Sequence, residues 1–71
     1  MDLERTKKVN HITSSVKEII SDSNITELSD FLSSISEVLC QLDTDIAIEV
    51  MNNFGEEGKH QAMSIKVNYG Y

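Results

Sequence analysis

With 71 residues and a formal charge of −6, the chain has room for one small domain, residues 1–71, with a mostly negative surface. That balance disfavours direct contact with nucleic acid or an anionic membrane and favours a basic partner, and no apolar run approaches the roughly 18–20 residues of a membrane span. One cysteine, Cys40, excludes an internal disulfide and, with only two histidines, gives no zinc spacing.

The first element is a helix over about 3–20, written by Val9, Ile12, Val16 and Ile19 at spacings of three and four. Asp2 and Glu4 at its start and Lys17 near its end suit the helix dipole. Ser21–Asn24 reads as a short polar turn.

A second helix, about 25–42, carries the clearest periodicity in the chain: Ile25, Leu28, Leu32, Ile35, Leu39 and Leu42, widened by Phe31 and Val38. Asn24 is placed to cap it, with Glu27 completing a capping-box pattern. Two helices joined by so few residues are expected to form an antiparallel hairpin.

The segment 45–54 supports two readings. Ile46, Ile48 and Val50 alternate as in a half-buried strand, whereas Ile46, Ala47, Val50, Met51 and Phe54 share one helical face, capped by Asp43 or Thr44 and ended by Gly55. On the helical reading only Ile48 is out of place. At 62–69, Met63, Ile65, Val67 and Tyr69 alternate with polar residues in a strand pattern rich in β-branched side chains. A strand needs a neighbour for its backbone, and 45–52 is the only one on offer.

The expected fold is therefore α+β, an antiparallel helical hairpin followed by a C-terminal β-hairpin. The alternative is an all-α three-helix arrangement with a C-terminal tail strand. A chain this short buries only about 60% of its unfolded surface, so oligomerisation is expected to supply the missing stability, with a homodimer as the default. Phe31 and Val38 on the second helix, and Ile65 and Val67 on the paired edge strands, are the expected interface.

The strongest functional signal is charge distribution. From Glu18 to Glu57 there are ten acidic residues and no Lys or Arg; Arg5, Lys7, Lys8 and Lys17 precede the window, and Lys59 and Lys66 follow it. Glu27, Asp30 and Glu37 point away from the apolar stripe and are the expected partner-binding residues. Asp30 and Glu37 lie about 10.5 Å apart along the helix, a loose match to the phosphate spacing of about 7 Å. The basic N-terminus brings no nucleic-acid-binding motif with it and better suits the acidic window of another subunit.

Catalytic and metal sites are not expected. Cys40, His11 and His60 are the only raw material for nucleophilic chemistry, and no motif brings them together. Asp43 and Asp45 lack the calcium-loop spacing, since Ala47 stands where the next ligand belongs. The chain reads as a small acidic, non-enzymatic regulatory or adaptor protein with no cofactor. It is expected to act by protein–protein contact, binding and inhibiting or chaperoning a basic or nucleic-acid-binding protein, as a bacterial or phage accessory protein does. The alternative is a structural homo-oligomer whose acidity serves only solubility. A lone thiol and the absence of an apolar leader in MDLERTKK point to the cytoplasm.

Overall fold

A computed structural model describes residues 3–70. Four helices follow one another: α1 (Leu3–Ser23), α2 (Leu28–Leu42), α3 (Thr44–Met51) and α4 (Gly55–Tyr69). Helices take up 87% of the described residues, which contain no strand. The expected β-hairpin is thus overturned, and with it the pairing of edge strands across a dimer. The three-helix alternative is corrected as well, because its tail strand is α4.

α1 buries Val9, Thr13 and Val16, spaced four and three apart, with Ile12 and Ile20 half-buried beside them. It stops at Asn24, which adopts the left-handed region at φ 55°, while the Ile25 N–H donates to the Ile20 carbonyl at 3.4 Å. This six-to-one bond closes a Schellman-type end. Asn24 therefore terminates α1 and does not cap α2, which begins after Glu27 with no side-chain capping bond. The expected capping box is absent because a residue in the left-handed region cannot also take the extended geometry of an N-cap.

α2 buries Leu32, Ser36 and Leu39, and Leu28, Phe31 and Ile35 are half-buried. Its last residue, Leu42, is 78% exposed, because the chain leaves the helix there. Asp43 alone separates α2 from α3. Its N–H donates to the Leu39 carbonyl at 2.8 Å, and its Oδ1 accepts from the Ile46 N–H at 3.2 Å, so one extended residue closes one helix and opens the next. Asp43→Ala is expected to lower stability by about 1 kcal/mol, and Asp43→Asn, which keeps a capping oxygen, to recover most of it. Urea midpoints measure both; equal losses would exclude capping as the residue's role.

α3 is the centre of the molecule. It packs against α1, α2 and α4, and Ile46, Ala47, Ile48, Val50 and Met51 are all buried. Along it only Glu49 is exposed, and Thr44 and Asp45 are half-buried. A helix buried on nearly every side loses its amphipathic signature, which explains why Ile46, Ile48 and Val50 imitate a strand. The expected α1–α2 hairpin is corrected here too, since the principal neighbour of α1 is α3.

At the α3–α4 corner Asn53 donates through Nδ2 to the Glu49 carbonyl at 3.0 Å and to Thr13 Oγ1 at 3.4 Å. The Lys17 ammonium sits 5.8 Å from the centre of the Phe54 ring, within cation–π range. Both contacts tie the corner to α1. α4 then turns Gly58, Ala62 and Ile65 inward, at helical spacing, and ends on Gly70 at φ 76°.

Candidate functional site

The ten acids of the Glu18–Glu57 window fall into distinct environments. Arg5, on α1, reaches over α3: its Nε donates to Glu49 Oε2 at 2.6 Å, and its Nη1 lies 4.0 Å from Asp45 Oδ2. The hydrogen bond to Glu49, reinforced by the charges of Glu49, Asp45 and Asp43, raises the guanidinium above its already high ordinary pKa. Asp43 is spent on its cap, and Glu57 accepts from the Ser29 hydroxyl. Glu56 and Glu57 also stand in the first turn of α4, where the helix dipole favours negative charge. Glu18 and Asp22 are exposed along α1.

Glu27, Asp30 and Glu37 differ from most of these. All three are exposed on the outer side of α2, and none has an ion pair or side-chain hydrogen bond among the described residues. At about 100° per residue Glu27 and Asp30 lie on the side of α2 opposite Leu32, Ser36 and Leu39, and Glu37 lies at the edge of that side, next to Ser33 and Cys40. Next to them runs an apolar flank in which Phe31 and Ile35 lean on the core while Val38 is 58% and Leu42 78% exposed.

The expected interface residues separate. Val38 and Val67 are exposed, the latter at 75%. Phe31 is half-buried against the core, and Ile65 lies inside it at 5% exposure. Ile65 therefore packs within its own chain, because helical α4 puts it on the face opposite Val67.

Between α2 and α4 lies a cleft of about 390 Å³. Ser33, Ser36, Glu37 and Cys40 line its α2 wall; Gln61, Ser64 and Asn68 line its α4 wall, with Ile65 and Tyr69 completing it. The buried Ser36 hydroxyl donates to the Ser33 carbonyl at 2.9 Å. Among the described residues Glu37 is the only acidic or basic side chain in the lining. The α4 wall was not legible in a segment read as a strand; read as a helix, Gln61, Ser64 and Asn68 at spacings of three and four form one polar stripe.

Burial pushes the Cys40 thiol up from its ordinary pKa, the opposite of what a nucleophile needs, and neither His11 nor His60 lines the cleft with it. Among the described residues no three His, Cys, Asp or Glu side chains converge as metal ligands, and no helix is long and apolar enough to cross a membrane. Compared with protein-family models, curated proteins and solved structures, the chain finds no match.

Proposed function

We infer that the protein is a small, non-enzymatic regulatory or adaptor protein that works by protein–protein contact, with the outer face of α2 binding a basic partner. The observation that carries this reading is the contrast between acids. Asp43, Asp45, Glu49 and Glu57 are engaged within the chain, while Glu27, Asp30 and Glu37 are exposed along α2 with no ion pair among the described residues. An uncompensated acidic face flanked by exposed Val38 and Leu42 suits a segment that presents cations beside apolar anchors. A partner of that charge is typical of nucleic-acid-binding proteins, and blocking or chaperoning one is the corresponding activity. The lone thiol fits a reducing cytoplasm as the place of action.

A second copy of the chain is the other reading. It is favoured by the exposed Met63 and Val67 on α4, at 66% and 75%, in a chain too short to bury much core alone. In that case the acidity serves solubility.

Salt separates the two. Affinity capture with the full chain is compared at about 0.1 M and about 1 M salt, where the screening length falls from about 10 Å to about 3 Å. The expected result is a partner held at low salt and released at high salt, and lost from the variant Glu27→Gln/Asp30→Asn/Glu37→Gln. The control Glu18→Gln/Asp22→Asn should keep it. Capture indifferent to salt and to the triple substitution would refute the acidic-face reading, and a mass above the monomer by light scattering would then favour self-assembly.

A further inference from the structure

We propose that the α2–α4 cleft is an arginine-binding site, in which the guanidinium of a partner's arginine meets Glu37. This rests on the basic-partner reading above and names the group that anchors the partner.

Among the described residues Glu37 is the only acidic or basic side chain in a cleft whose remaining polar lining consists of hydroxyls, amides and one thiol. No Lys, Arg or His among the described residues lines it. At about 100° per residue, Lys59 and Lys66 project from the side of α4 opposite Gln61, Ser64 and Asn68. Arg5 is held by Glu49 and Asp45 on α3, and Lys17 stands over Phe54. The carboxylate therefore borders a concave space lined mainly by polar side chains, with no ion pair of its own among the described residues.

Donor and acceptor chemistry narrows the ligand further. A guanidinium has five N–H donors and no acceptor, so it requires a site rich in oxygens. The carboxylate of Glu37, the hydroxyls of Ser33 and Ser64 and the side-chain carbonyls of Gln61 and Asn68 provide them. Ser36 directs its own proton to the Ser33 carbonyl, which leaves its oxygen free to act as an acceptor. Tyr69 also lines the cleft, and a planar guanidinium stacks on an aromatic face more readily than a compact ammonium. The volume, about 390 Å³, accommodates an extended side chain and the backbone that carries it. A carboxylate, oxygen acceptors and an aromatic face together select arginine over lysine, and either over a neutral side chain.

The test titrates the labelled full chain, by two-dimensional amide NMR, with Nα-acetyl-arginine amide, Nα-acetyl-lysine amide and Nα-acetyl-citrulline amide. Citrulline keeps the shape of arginine without its charge. The expected result is saturable shifts in 33–40 and 61–69 with the arginine compound, weaker ones with lysine and none with citrulline. Glu37→Gln should weaken arginine binding about tenfold or more, since hydrogen bonds to charged groups carry that much; Asp30→Asn should leave it unchanged. Arginine and lysine shifts spread equally over all the acidic residues, or a response unaffected by Glu37→Gln, would overturn the proposal. The two readings fail separately. If the arginine probe does not bind while salt-sensitive capture persists and depends on Glu27 and Asp30, the cleft is excluded and the acidic face stands. If capture is also indifferent to salt and to those residues, both fall.

Discussion

Ile48→Ala is expected to cost about 2–5 kcal/mol of folding stability, the range for truncating a buried isoleucine. At about 0.05–0.15 kcal/mol per residue, a chain of 71 residues has only about 4–10 kcal/mol in total, so this change removes a large share of it. The size of the effect is diagnostic. On an amphipathic third helix Ile48 falls on the outer face, where substitutions stay within about 0.5 kcal/mol. In the fold found here it is 8% exposed, because α3 has neighbours on nearly all sides. Urea unfolding of Ile48→Ala beside Ile46→Ala measures this directly. Comparable losses support the central placement of α3, and a near-neutral Ile48→Ala would contradict it.

Gly58→Ala is expected to destabilise the protein by about 1–3 kcal/mol, the usual cost of forcing atoms into a packed site. Helix propensity predicts the opposite sign, since alanine is favoured over glycine in a helix by about 1 kcal/mol. Sterics win here. A Cβ on Gly58 would collide with the Met51 carbonyl oxygen and meet the Phe54 Cβ at 2.7 Å, so the start of α4 cannot approach the end of α3 unless position 58 is bare. Gly55 is a useful contrast: it has open space around its Cβ position but sits at φ 68°. Gly55→Ala therefore carries only a backbone cost, about 1–2 kcal/mol. A rise in urea midpoint for Gly58→Ala would show that α3 and α4 do not approach as described.

These two positions also show why the second half of the chain was misread. Hydrophobic periodicity reports where large apolar side chains fall, and it works when a helix has one wet face and one dry face. α2 meets that condition, and its stripe from Leu28 to Leu39 was legible residue by residue. α3 does not, since five of its eight positions are buried and Ile46, Ile48 and Val50 alternate by accident of composition. α4 fails in the other direction. Its inward positions include Gly58 and Ala62, which carry almost no hydrophobic signal, while Met63, Val67 and Tyr69 are exposed. The apparent strand was an inward Ile65 set between outward Met63 and Val67. Close helix packing through small residues overrode the β-branched preference of this segment.

The same division applies to the surface. That Glu27, Asp30 and Glu37 share the outward side of a helix follows from their spacing against the leucines, with no knowledge of the rest of the molecule. Which acids are already neutralised does not follow. Arg5 and Glu49 are 44 positions apart, and only the packing of α1 on α3 brings them together. The cleft beside Glu37 was invisible for a related reason, as its second wall exists only when 61–69 is helical.

Sequence alone thus determined what depends on neighbours a few positions away: the outward acids and apolar stripe of α2, the capping role open to Asp43, and an acidic window without bases. Tertiary structure alone decided that α3 is central, that α4 is a helix and that Arg5 answers for Asp45 and Glu49. The physical reason is range. Spacing encodes one wet side and one dry side, whereas burial from several directions and backbone contact at a glycine depend on where distant elements come to rest.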